Sequence, residues 1–344
     1  MSKRHFLACC LAFLSAFSIV CADDSATVSP AVSSPPTAGW SANFIAERLK
    51  EHCLVPKNVQ IDATATNAFF KDEAGTVGSL LKFDKRYTYT ASVLNDSYRL
   101  EVIATEGQDA TTGKQLFHSV LEYNGNNDQS KVYEPASDLA MTTYGRVHKG
   151  RNGSERLFRI GHYFLGLEDT NGQTFLASTL NSRSKWHLST KEDEDHPSIS
   201  FPIVNELTTE RVGTRVLRFS EKLGFRLVED RREIITAGET EPVYERSVVF
   251  SYEGPDQNGR VRLKSVDDTT RSKSMNKRLK APTVNVFSTS ILEHAVGTVD
   301  PNDVLIVFPK GAVISDNING GIFLATGDGG EIPREFESIL GDEQ

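Results

Sequence analysis

The chain has no means of forming an internal disulfide if its N-terminus is removed. Of four cysteines, Cys9, Cys10 and Cys21 lie in the first 22 residues, and only Cys53 lies beyond them. Secreted domains too small for a large core depend on such bridges, whereas 344 residues can bury enough apolar surface without them. Export without disulfides points to a bacterial envelope rather than an animal extracellular space. Positive charge is also scarce, with 38 Lys and Arg against 46 Asp and Glu. Sequence-independent nucleic-acid binding needs a positive field against phosphates, so that function is excluded. No G-x-S-x-G elbow, P-loop or HExxH occurs, and no two histidines beyond His5 stand at the short spacings of a zinc site. No catalytic residue, metal or cofactor is therefore expected.

What is present begins with an export signal. Lys3 and Arg4 form a basic n-region, and Phe6 to Val20 is an apolar stretch too short for a typical membrane span. Cleavage is expected after Ala22; acylation at Cys21 is the rival, disfavoured by the branched Val20 before it. Losing Lys3 and Arg4 would leave 36 basic residues and a net charge of −10. No later run is long enough to span a membrane, so the exported chain is expected to be soluble unless Cys21 anchors it. Asp23 to Gly39, "DDSATVSPAVSSPPTAG", has almost no bulky apolar residue and reads as a flexible linker over 23–39.

Order is expected from Trp40. "WSANFIAERLKEH" offers Ser41 as an N-cap and sets Phe44, Ile45 and Leu49 on one helical face, and Pro56 ends the helix. Cys53 at its end reads as a small buried thiol rather than a nucleophile. The period then changes from near four to two. "VQIDATA" sets Val59, Ile61, Ala63 and Ala65 against Gln60, Asp62 and Thr64. "RYTYTASV" does the same with Tyr87, Tyr89, Ala91 and Val93, and "FHSVLEY" with Phe117, Ser119, Leu121 and Tyr123. Such alternation marks antiparallel strands with one covered face. In the middle, "SERLFRIGHYFLGLED" is spaced for a helix over about 154–167, and "TFLASTLNS" for a shorter one. Strands resume with "TRVLRF", "GFRLVED", "YERSVVFSYE", "RVRLKSV", "TVNVFSTSIL", "DVLIVF", "AVISD" and "IFLAT".

Few stretches suggest chemistry. "RSKSMNKRLK", Arg271 to Lys280, carries five positive charges, which reads first as a solvated loop and second as a contact for anionic headgroups or an acidic partner. Glu192 to Asp195 and the pair Asp267-Asp268 read as solvated charge. A glycosidase would need two carboxylates converging in a cleft, which spacing alone does not reveal. Asn95-Asp96-Ser97 and Asn152-Gly153-Ser154 fit the glycosylation pattern, idle in a bacterium. "DNINGG", Asp316 to Gly321, begins like a calcium loop, but Ile318 stands where an oxygen ligand is needed. A phosphate cradle would lead into a helix, whereas Ile322 opens another strand-like run; the segment is expected to be a strand meander.

One helix, antiparallel strands, a helical insertion and more strands, in that order behind an export signal, resemble the bacterial LolA/LolB/RseB superfamily. "VLEYNGNNDQSKVYEP" and "GFRLVEDRREI" are similar to strands of that group, while F-P-x-G-x-x-V-x-D, from Phe308 to Asp316, looks like a tail of uncharacterised exported planctomycete-type proteins. The resemblance implies a mainly β (α+β) protein. Its curved antiparallel sheet, or unclosed β-barrel, would have one face covered by an N-terminal helix and a short helical insertion. It also implies a non-catalytic carrier or sensor of a lipid or other hydrophobic ligand, with Tyr87, Tyr89, Phe117 and Leu121 as the residues that would line or fill its cavity. A structural or interaction module with a filled core and an envelope protein partner is the second reading, and an exported hydrolase the third. The expected organisation is a signal over 1–22, the linker over 23–39 and the sheet domain over 40–295. A C-terminal meander over 296–334 and a tail over 335–344 follow.

Overall fold

Alternation of apolar and polar side chains becomes backbone pairing along most of the chain. The computed structural model describes residues 41–52, 57–73, 76–107, 113–135, 143–151, 158, 161–164, 174–189, 197–204, 211–235, 242–254, 261–276 and 281–333. The expected export signal and linker, Cys53, Pro56, Asn152 to Ser154, Glu192 to Asp195, Lys277 to Lys280 and the expected tail lie outside the described residues, as does most of the expected turn Gly254 to Gly259.

Six strands open the sheet: β1 (Asn58–Glu73), β2 (Thr76–Leu94), β3 (Ser97–Glu106), β4 (Gln115–Asn124), β5 (Gln129–Glu134) and β6 (Tyr144–Lys149). After the helical insertion come β7 (His187–Ser189), β8 (Ser198–Val204), β9 (Arg211–Ser220), β10 (Arg226–Ile234), β11 (Tyr244–Glu253), β12 (Arg262–Asn276) and β13 (Ala281–Val296). Three short strands close the chain: β14 (Val313–Asp316), β15 (Ile322–Ala325) and β16 (Glu331–Pro333). The order across the single sheet is β16-β15-β14-β6-β5-β4-β3-β2-β1-β13-β12-β11-β10-β9-β8-β7. Its two edges, β16 and β7, do not pair with each other, so the sheet is unclosed. Both edges are three residues long, which limits the unpaired backbone offered to another chain. Every pairing among the described residues is antiparallel except β14 with β6.

Curvature shows in what the insertion touches. Phe158 meets Tyr89 of β2 at 4.8 Å between ring centroids, and Tyr163 meets Phe250 of β11 at 4.9 Å, although three strands separate β2 from β11. Register shifts at Asp62/Ala63 and Asn67/Ala68 bend the central strands. The expected inward parity holds: Val59, Ala63, Ala65, Tyr89, Ala91, Val93 and Leu121 are buried in one core cluster, into which α1 (Ala42–His52) sends Ile45 and Leu49. Ser41 caps α1 by accepting from the Phe44 amide at 3.2 Å, and Phe44 packs edge-on against Phe225.

Of the helix expected over 154–167, the described residues contain Phe158 and the single turn α2 (Gly161–Phe164). The shorter helix forms as α3 (Phe175–Asn181), capped by Thr174. One expected strand is absent: "DVLIVF" instead makes a 3-10 turn, Pro301–Val304, followed by extended chain. Its backbone groups are taken elsewhere. The Ile306 amide donates to the buried Glu122 carboxylate, and Lys131 donates to the Ile306 carbonyl at 3.4 Å. This segment covers the outward side of β4–β6, where Val120, Val147, Ile306, Phe308, Ala312, Ile314 and Ala325 form a second cluster. The C-terminal strands thus continue the main sheet while the chain leading to them covers its back. No helix of the described residues is long and apolar enough to cross a membrane.

Candidate functional site

Parity along β9–β12 places charges on the covered face. Counting in twos from Leu217 and Phe219 turns Arg215 inward; counting from Val248 and Phe250 turns Arg246 inward, and from Val266, Asp268. Arg215 and Arg246 lie in runs read from sequence as ordinary strands, whereas Asp268, just past the run that ends at Val266, was expected to be solvated. It is 5% exposed instead, because the Arg246 guanidinium meets it through two bonds of 2.9 and 2.8 Å.

Asp230, fully buried on β10, is the hub. Its carboxylate accepts from Arg215 Nε at 2.8 Å, from an Arg215 terminal nitrogen at 2.7 Å, from Tyr163 Oη at 2.7 Å and from Arg232 at 3.1 Å. Burial alone would raise its pKa, but the Arg215 and Arg232 guanidiniums hold the carboxyl well below the usual carboxylate range. Burial and the neighbouring Asp230 charge push the Tyr163 phenol upward, so it stays protonated and donates. The Arg215 guanidinium also lies over the rings of Phe175 and Phe201, at 5.1 and 5.8 Å from their centroids. One polar cluster therefore ties the insertion (Tyr163, Phe175) to the sheet.

The four cavity residues expected from sequence belong to one hydrophobic core, Tyr89 and Leu121 within it and Tyr87 and Phe117 packed against it. Tyr87 and Tyr89 stack at 5.8 Å, and Tyr87 also meets Phe117 at 6.3 Å and Phe287 at 5.4 Å. Tyr89 and Leu121 are 2% exposed, while Tyr87 and Phe117 are half-buried against the same core. These side chains occupy the covered face with one another. Clefts lie elsewhere on the described residues, one of about 290 Å³ beside Phe201, Lys185 and Arg211 and one of about 220 Å³ beside Asn95, Asn124 and Leu305. None of the four lines either.

The remaining polar features are built from local bonds. Asp316 accepts from the Ile318 and Asn319 amides at 2.7 and 3.0 Å and from the Asn319 side chain at 2.8 Å, so "DNINGG" is a carboxylate-capped turn between β14 and β15. Donors occupy the oxygens that a calcium loop would present. His118 bonds Glu101 at 2.7 Å on the outward side of β3 and β4. No group of three or more His, Cys, Asp or Glu suited to a metal occurs among the described residues.

Sequence reading missed Tyr163, Arg215, Asp230, Arg232, Arg246 and Asp268 as a group. The signal was present in the strand parity, but it does not say which strands become neighbours. No family model matches the chain, and no curated protein matches it. Among solved structures it is similar to a DUF1329 family protein from Desulfovibrio piger, with 10% sequence identity, coverage of 76% of this chain and 94% of that one, and a TM-score of 0.36.

Proposed function

We propose that the protein is an exported, non-catalytic binding protein of the LolA/LolB/RseB kind, which holds a lipid or other apolar ligand between its curved sheet and its helical insertion. One observation carries this reading. The insertion's rings lie directly on the sheet's rings, Phe158 on Tyr89 and Tyr163 on Phe250, with Tyr163 Oη anchored to Asp230. Ring contacts of this sort contribute about 0.5–1.5 kcal/mol each beyond their buried area, so an apolar guest presenting similar surface can replace them. Tyr87, Tyr89, Phe117 and Leu121 are the side chains such a guest would meet. The basic start and apolar run of residues 3–20 support export. Native mass spectrometry of the protein purified without detergent, with extraction of its lipids and titration with a fluorescent fatty acid, tests the proposal. Copurified lipid or saturable uptake is expected; neither being seen overturns it.

A second reading, an interaction module with a filled core, is favoured by Val77, Leu80 and Leu81, each at least 40% exposed where β2 runs past the end of β3. An envelope protein partner would cover them. Leu80→Lys would then abolish partner capture while leaving fatty-acid uptake unchanged; the reverse pattern overturns this reading.

A further inference from the structure

The strand register sets Phe201, Arg215, Arg232, Arg246 and Thr270 side by side on β8 to β12, a row across the covered face. Directly opposed side chains stand about 5 Å apart at Cβ, and like charges in such pairs destabilise a sheet. Three successive guanidiniums therefore need opposing charge. Asp230 and Asp268 supply part of it, both from the pleat nearer the apolar core. Asp230 already accepts four hydrogen bonds, about the capacity of a carboxylate. On the row's other side the next pleat carries Gly213, Ile234 and Tyr244, none of them acidic. The cluster thus holds one more positive than negative charge among the described residues.

The outward face of the same strands does not share this imbalance. There Arg218 pairs with Glu229, Arg231 with Glu233 and Glu245, and Arg271 with Glu245 and Asp72. Inward, Arg232 is the least compensated member. Its bond is a 3.1 Å contact to a carboxylate that it shares with Arg215 and Tyr163, and its side chain is 27% exposed. Arg246 beside it is 22% exposed and spends two donors on Asp268. Both are therefore open enough to reach a further acceptor while standing at the border of the ring-lined core.

We infer that Arg232 and Arg246, backed by Arg215, form a seat for one oxyanion, a carboxylate or phosphate. It would be the headgroup of an amphiphile whose apolar part lies toward Tyr163 and Phe250. Guanidinium forks match the geometry of both groups through paired N–H donors. An added anion restores the charge balance and separates Arg232 from Arg246. For the apolar part the inference rests on the proposed function; the anion seat itself does not.

Three probes separate the two: a fluorescent long-chain fatty carboxylate, the alcohol of the same chain, and inorganic phosphate, each titrated into the purified protein. The carboxylate is expected to bind at least about tenfold more tightly than the alcohol. Arg232→Gln should remove that preference, and the outward Arg231→Gln should keep it. Equal binding of acid and alcohol, untouched by R232Q, overturns the seat and leaves the apolar site standing. Binding of phosphate that R232Q abolishes, with no binding of the alcohol, sustains the seat for a free oxyanion and overturns the apolar reading. No binding of any probe overturns both. If R232Q does not fold, the acid-to-alcohol ratio of the unaltered protein decides, and a ratio near one overturns the seat.

Discussion

Tyr163 Oη donates to Asp230 Oδ2 at 2.7 Å across 67 residues of sequence, with both side chains buried. Through this bond the insertion that follows β6 is fastened to the middle of β10. Tyr163→Phe leaves the ring contacts intact but removes one of four donors to a buried carboxylate, and should cost about 1–3 kcal/mol. Asp230→Ala leaves the buried Arg215 and the partly exposed Arg232 without their shared carboxylate, and should cost about 3–5 kcal/mol. Urea unfolding of both variants tests the order. A smaller loss for Asp230→Ala than for Tyr163→Phe would contradict the hub role of the carboxylate.

Gly145 on β6 and Phe308 in the covering segment form a steric pair, since a Cβ at 145 would lie 2.6 Å from the Phe308 ring. Gly145→Ala should therefore destabilise by about 1–3 kcal/mol through overpacking. Phe308→Ala should cost about 3–5 kcal/mol by opening a cavity in the outer cluster. In the double variant the new methyl group occupies space that the ring has vacated. Its loss should fall clearly below the sum of the two single losses; strict additivity in thermal unfolding would show that the two do not touch.

Glu122, 2% exposed, accepts the Ile306 amide and stands 3.7 Å from Lys131. Glu122→Ala leaves that amide without its acceptor, at a cost of about 1–3 kcal/mol. The loss should be local. Limited proteolysis is expected to cut first between residues 305 and 330 in this variant, and early cutting within β9–β12 would count against it.

Stability should decline with acid in two stages. Burial depresses the pKa values of His52, His148 and His294 below 6.5. Above pH 6.5 neither the folded nor the unfolded chain protonates these rings; below it the unfolded chain does so first, and stability drops until the folded pKa values are passed. The second stage comes from carboxyls held low: Glu101 by its bond from His118, and Asp230, despite burial, by Arg215 and Arg232. Their contribution is complete above the ordinary carboxylate range and is lost as the pH falls through and below it. Unfolding midpoints at pH 7.5, 5.5 and 3.5 should fall in that order. His294→Gln should flatten the first step, and a midpoint that rises between pH 7.5 and 5.5 would exclude this account.

Much of the fold was legible because side-chain period is a local property. Val59 to Ala65, Tyr87 to Val93 and Phe117 to Tyr123 alternate, so their inward faces followed once one face was known to be covered. Ser41 announced the start of the first helix in the same local way. "DVLIVF" misled because apolar composition does not reveal where backbone amides find partners. The partner of Ile306 is a side chain 184 residues earlier.

The sequence by itself determined that the chain is built mostly of strands, where its first helix begins, and which parity turns inward in runs such as 59–65 and 87–93. Those depend on interactions a few residues apart. Only the tertiary structure decided that Arg215, Arg232 and Arg246 stand in one row, that Asp268 is paired rather than solvated, and that Tyr163 closes on Asp230. Cross-strand register and the curl of the sheet bring such groups together, and no local pattern carries either.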